Sequence, residues 1–135
     1  MTMVFWDYPK LAMDFMNQEH ETFVDLMNDM EDALTLGKFT AQHFRRLVQH
    51  CQEHFAHEER EMKLAGFPPY PVHKAEHDRV LGLMLQLLHD YEEQDLIGPL
   101  LDFIQDTLPD WFAAHISSMD RVTAEYLSKH QVSAA

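Results

Sequence analysis

This chain is predicted to be all-α, folded as an up-down-up-down antiparallel four-helix bundle. Three observations lead there. Apolar residues recur at alternating gaps of three and four, alternating strand-like patterns are absent, and only four Gly and six Pro interrupt 135 residues. That length suits one domain, residues 1–135, with one substantial core. Hydrophobic residues make up 46% of the chain, including nine Met and nine Phe, so a packed interior is expected rather than disorder.

The first helix is expected from about Met13 to Leu36. Met13, Met16, His20, Phe23, Met27, Met30 and Leu34 form its seam, and Gly37 is placed to cap its end. Thr40 can then act as N-cap of a second helix, whose stripe reads Phe44, Leu47, Cys51, His54, Glu58 and Met62 and ends near Gly66. The segment Gly66-Phe67-Pro68-Pro69-Tyr70-Pro71 cannot be helical throughout and reads as a turn. A third helix follows with His73, His77, Val80, Met84, Leu87 and Tyr91 on one face, closed by polar residues up to Asp95. The fourth starts around Gly98-Pro99, where Pro near a first turn is favourable. Ile104, Leu108, Trp111, His115 and Val122 trace its inner face.

That last helix carries two irregularities. Pro109 removes a backbone donor and crowds the carbonyl of Gln105, so a kink or restart is expected between them. His115 and Asp120 are five residues apart, about 140° out of line on a regular helix. Either the backbone widens locally to an i→i+5 pattern, or Asp120 reaches in from the flank of a regular helix.

A formal charge of -13 argues against nucleic acid and anionic membrane surfaces as partners. No run approaches the roughly 18 apolar residues of a membrane span, and MTMVFWDYPK lacks the basic and long apolar regions of a signal peptide. Without membrane insertion, a soluble cytoplasmic protein is expected. The one cysteine, Cys51, excludes an internal disulfide framework and a Cys-based zinc site, and reads as a small buried hydrophobe.

The informative residues are polar ones placed on apolar stripes. His20, His54, Glu58, His73, His77 and His115 sit on faces otherwise made of Met, Leu, Phe and Trp. Burying a neutral polar group without a partner costs roughly 2–7 kcal/mol, and a charge costs more. One such residue is usually a satisfied core group. Six, contributed by all four helices, need a common partner, and a cation is the economical one. His54 with Glu58 and His73 with His77 are i, i+4 pairs, one turn apart on one face. Imidazole suits iron, zinc and copper, and a carboxylate can bridge two cations. His43, His57, His89 and His130 fall off the stripes and read as solvated surface residues.

Taken together, the motifs resemble those of the hemerythrin family in its single-domain bacterial form. The resemblance rests on His54-Phe55-Ala56-His57-Glu58-Glu59 (H-F-x-x-E-E), His73-Lys74-Ala75-Glu76-His77 (H-x-x-E-H), and the run from Trp111 to Asp120 with His115-Ile116 (W-x-x-x-H-I-x-x-x-D). His20 matches the family's first-helix histidine, and Trp6 also stands where the family has its N-terminal Trp. A departure lies beside His20, where the family's Asp-x-Gln-His is here Asn17-Gln18-Glu19-His20. At His50, one turn before His54, relatives often have Tyr, and a supporting or surface role is expected.

The resemblance implies two iron ions with a bridging oxo or hydroxo group. His73, His77 and His115 would hold one iron, His20 and His54 the other, and Glu58 and Asp120 would bridge them. One iron then has three nitrogens and the other two, leaving a position for O2. Phe23, Phe55, Trp111, Phe112 and Ile116 would line an apolar pocket that slows autoxidation. Reversible O2 binding by a carrier, store or sensor, not an enzyme, is the expected function. A di-iron enzyme reducing peroxide or nitric oxide would want an acidic group near the open position, with Glu19 and Glu59 the nearest in sequence. Metal buffering without O2 chemistry is the third reading.

Overall fold

The structure, a computed structural model, describes residues 3–130. A 3-10 turn, Phe5–Asp7, precedes α1 (Asp14–Thr35), α2 (Ala41–Leu64) and α3 (Tyr70–Gln94). The fourth helix, α4, spans residues 97–129 in consecutive segments: Ile97–Asp102, Phe103–Thr107, Leu108–His115, Ile116–Asp120 and Arg121–Lys129. The four helices pack as the expected up-down-up-down antiparallel bundle. No strand occurs among the described residues, and no helix among them is long and apolar enough to cross a membrane.

The connections follow from a few residues. Gly37 and Gly66 adopt φ of 68° and 66°, the left-handed conformation that lacks a Cβ penalty in glycine. Each completes a double C-cap: Lys38 N–H donates to Ala33 O and Gly37 N–H to Leu34 O, and the same pattern joins Phe67 to Met62 and Gly66 to Lys63. Thr40 caps α2 as expected, with His43 in the role usual for Glu: its Nδ1 accepts from the Thr40 backbone N–H at 3.1 Å. His43 is therefore a half-buried capping residue, not a plain surface one. Tyr70 and Pro71, assigned to the turn from sequence, belong to the first turn of α3. A proline there gives up only a donor that would lack a helical acceptor anyway.

Two asparagines clasp the N-terminal arm onto α1. Asn28 exchanges hydrogen bonds of 2.8 and 2.9 Å with Met3, and Asn17 does the same with Leu11. Trp6 in that arm is 84% exposed. The core is continuous, from Met16 and Phe23 on α1 through Phe44, Leu47 and Met84 to Leu100, Leu108 and Leu127. On α3 the buried line runs Val80, Met84, Leu88, while the expected Leu87 and Tyr91 are half-buried at its edge.

Both irregularities of α4 are present as widened i→i+5 turns, Phe103–Thr107 and Ile116–Asp120. The first ends two residues before Pro109, where the missing donor and the crowded Gln105 carbonyl would strain regular bonding. The second rotates Asp120 inward to join His115. Its extra residue shifts everything after it by about 100°. Val122, expected on the inner face, is 55% exposed, and Thr123 lies fully buried in its place.

Candidate metal centre

Each of the four helices sends buried polar side chains to one spot near the Trp111 end of the core. His20 comes from α1, His54 and Glu58 from α2, His73 and His77 from α3, and His115 and Asp120 from α4. All seven are less than a tenth exposed. Helical periodicity aligns the i, i+4 pairs, and the widened turn brings in Asp120. The structure therefore gathers every residue singled out from sequence for metal binding.

The two carboxylates divide the five imidazoles into two groups. Glu58 Oε1 lies 3.3 Å from His77 Nε2 and 3.5 Å from His73 Nε2, while its Oε2 faces His54 Nε2 at 2.8 Å and His20 Nε2 at 3.8 Å. Asp120 repeats the division. Its Oδ1 lies 3.2 Å from His73 Nε2 and 3.1 Å from His115 Nε2, and its Oδ2 lies 3.1 Å from His20 Nε2. Two clusters result, each able to hold a metal ion: Glu58, His73, His77, His115 and Asp120; and His20, His54 and Glu58.

The donor set fits cations better than it fits itself. Among the described residues, His20 Nδ1 and Nε2, both Glu58 oxygens, His77 Nε2 and Asp120 Oδ1 are buried without a partner in hydrogen-bonding geometry. His73 Nε2 and His115 Nε2 also lie 3.1 Å apart, a contact that requires one of the two rings to carry its proton on Nε2. Buried polar atoms are almost always satisfied in native proteins, so this concentration of orphans at converging N and O donors marks a cation site.

Around this centre, outer nitrogens are tethered. His54 Nδ1 donates to Glu19 Oε1 at 2.7 Å, His77 Nδ1 to Glu59 Oε2 at 3.0 Å, and His73 Nδ1 to Thr123 Oγ1 at 2.8 Å. A proton held at Nδ1 leaves the Nε2 lone pair turned inward. Glu19 also accepts from His57 Nδ1 at 2.7 Å, so His57 is a half-buried member of this network rather than a solvated surface residue. The departure beside His20 thus supports α2, not His20. His50 bonds the Glu19 backbone carbonyl at 2.9 Å and takes the expected supporting place. Spacing could have suggested His57, one turn beyond Glu53, but only the crossing of α1 and α2 reveals Glu19 as its acceptor.

Electrostatics within the protein alone are strongly mutual. Burial disfavours charge on His54, but Glu58 and the bond to Glu19 outweigh it and push its pKa up to about 10. Burial and Asp120 oppose ionisation of Glu58, yet His54 and His77 hold it down at about 2. Asp120 is likewise held well below the carboxylate range against burial, chiefly by His115.

A small cavity adjoins the His20–His54 side. Phe23, Cys51, Phe55, Trp111 and Phe112 line it together with His20, His54, His115 and Asp120, leaving ≈ 10 Å³ open to the centre of a water-sized sphere. Phe23 stacks on Phe112 at 4.4 Å, and Trp111 stacks on His115 at 4.4 Å. Ile116, expected in this wall, is absent from it. It is buried in the core, about 100° round the helix from His115. Cys51 is a wall residue whose thiol burial pushes its pKa up to about 12, so it stays protonated.

Known proteins share this arrangement of helices. A crystal structure of wild-type hemerythrin superposes with a TM-score of 0.77 over 95% of this chain and 98% of that one, at 24% identity. A bacteriohemerythrin of Ralstonia nicotianae is 33% identical over 111 residues, covering 82% of this chain and 77% of the relative. A bacteriohemerythrin of Methylococcus capsulatus is 26% identical over 95% of this chain and 99% of its own. More distantly, a myohemerythrin of Sipunculus nudus is 25% identical over 77% of this chain and 85% of its own. The hemerythrin HHE cation binding domain matches residues 11–127, nearly the whole bundle, and the chain belongs to the hemerythrin family.

Proposed function

We propose that this is a non-haem di-iron protein that binds O2 reversibly, as a carrier, store or sensor. The observation that carries the proposal is the division of both carboxylates: each turns one oxygen to the His73 side and the other to the His20 side. Two adjacent cations bridged by Glu58 and Asp120 would use that geometry. His73, His77 and His115 would serve one, and His20 and His54 the other. Two bound ferrous ions would supply the electrons that O2 takes up and returns. The side with fewer imidazoles is also the side with the cavity, whose size suits a water or a diatomic molecule.

The remaining residues orient donors and keep water out. Glu19, Glu59 and Thr123 fix the rings of His54, His77 and His73. Phe23, Phe55, Trp111 and Phe112 surround the cavity with apolar surface, which lowers the local dielectric and restrains proton entry. An enzyme reducing peroxide or nitric oxide would need an acid in the cavity. Glu19 and Glu59 face the outer nitrogens instead, and the one carboxylate in the cavity wall, Asp120, turns its oxygens to His20, His73 and His115 as part of the donor set. That favours binding over turnover.

The test is an absorption spectrum of the ferrous protein, recorded anaerobically, in air, and after O2 is removed. A visible band that appears in air and disappears on deoxygenation, with two irons per chain, is expected. Rapid consumption of peroxide or nitric oxide without such a band would establish the enzyme reading. Iron uptake with no O2-dependent band would leave metal buffering.

A further inference from the structure

Beside Phe23, Phe55 and Phe112 in the cavity wall, Trp111 carries a polar atom, and that atom is tied to another helix. Its indole N–H donates to Glu76 Oε1 on α3 at 2.8 Å. Arg79 grips the same carboxylate with two donors, Nη2 to Oε1 at 2.6 Å and Nε to Oε2 at 3.0 Å. The indole lies flat on His115, with 16° between ring planes, and presents its edge to Phe55 at 6.2 Å.

Trp111 belongs to Leu108–His115, the short regular stretch between the two widened turns of α4. It is half-buried, with the cavity on one side and solvent near the other. An indole N–H at such a position could donate to water at little cost. A carboxylate clamped by a guanidinium does something water cannot: it fixes the direction of the ring. Charge-assisted bonds of this kind are roughly twice as strong as neutral ones. A swing of the ring away from His115 would break that bond and open the cavity to solvent.

We propose that Glu76 is a positioning residue that latches Trp111 shut over the cavity, with Arg79 holding the latch carboxylate in place. Glu76 neither lines the cavity nor belongs to the clusters able to hold metal, and it acts through the indole. The latch itself stands on these contacts. Its consequence for O2, slower autoxidation, rests on the di-iron reading above.

The chain has two tryptophans, so W6F leaves Trp111 as the only indole reporter. In that background, emission and acrylamide quenching are measured in metal-free protein for E76A, E76Q and R79A, with circular dichroism checking the helices. E76A should shift emission to the red and raise quenching. Losing a charge-assisted bond should enlarge the open population by about tenfold. E76Q keeps an acceptor oxygen but loses the charge, so E76Q and R79A should both fall between W6F and E76A. In iron-loaded protein with Trp6 intact, E76A should hasten autoxidation by about tenfold, and W111F/E76A should oxidise no faster than W111F. Unchanged emission and quenching in E76A, or equal effects of E76A and E76Q, would overturn the latch. If E76A and E76Q differ as expected while the parent never forms an O2-dependent band, the latch stands and the O2 reading fails.

Discussion

The two halves of this bundle use the same four helices in opposite ways. Toward Gly37 and Asp95, the interior is Met30, Phe44, Leu47, Met84, Leu88, Leu100 and Phe103, with no polar side chain among the buried residues there. Toward Gly66 and Tyr70, it contains five histidines and two carboxylates, and buried atoms of His20, Glu58, His77 and Asp120 lack hydrogen-bond partners there. The seams of α1, α2 and α3 run from one half to the other within single regular helices, while the seam of α4 is realigned by its two widened turns. The apolar half holds the bundle together by burial, which is favourable at roughly 25 cal/mol per Å². The polar half opposes that until a cation satisfies its donors. The lesson is that one periodic pattern encodes two functions: packing where the residue type is apolar, and ligation where it is polar.

The sharpest way to break this comparison is to remove the metal. A chelator under reducing conditions, or His77→Ala, should abolish iron binding and lower the melting temperature, because binding energy at such a site is folding energy. Iron analysis with thermal melts checks this. A metal-free wild type melting where the loaded protein melts would refute the idea that the polar half depends on its cation.

The next effect is one of pH. In metal-free protein, His54 rises from 6.5 to about 10, so its contribution is fully present below pH 6.5 and lost as pH climbs through 10. Glu58 falls from 4.5 to about 2, so its contribution is present above pH 4.5 and lost as pH drops through 2. Metal-free stability should therefore be greatest at about pH 4.5–6.5 and decline toward pH 10. The loaded protein should instead weaken as pH falls, because protons compete with metal for imidazole. Urea unfolding across pH 4–10, with and without iron, distinguishes the two profiles.

Leu47→Ala probes the other half. Leu47 is fully buried, and its truncation should cost about 2–5 kcal/mol. The loss should be similar with and without iron, as judged by urea unfolding of both forms. A loss confined to the loaded protein would mean that the halves are coupled more closely than packing requires.

The smallest effect reads the register of α4. Thr123→Val removes the acceptor of His73 Nδ1 and should cost about 1–3 kcal/mol with weaker iron affinity. Val122→Thr, at an exposed neighbour, should change stability by no more than about 0.5 kcal/mol. Denaturant melts and iron titrations of both variants test whether the extra residue in the widened turn truly reassigns the inner face.

The sequence by itself determined the four helices, their ends apart from the first turn of α3, and the seven polar residues that meet at the centre. Periodicity is local chemistry. A histidine at a seam position must face the core, and Gly37, Thr40, Gly66 and Pro99 punctuate the chain through their own backbone preferences. Even the widened turn after His115 was legible as one of two options, because the five-residue spacing to Asp120 does not fit a regular helix. What only the tertiary structure decided lies between helices. The spacing left open whether α4 would widen or Asp120 would reach from its flank, and in the structure the helix widens. That choice moved Thr123 into the core in place of Val122. Glu19 tethering His54 and His57, and Glu76 holding Trp111, join residues 35 or more positions apart. No periodic pattern encodes those pairings. They exist because packing sets the distance and rotation between two surfaces, and a carboxylate on one then finds a ring N–H on the other.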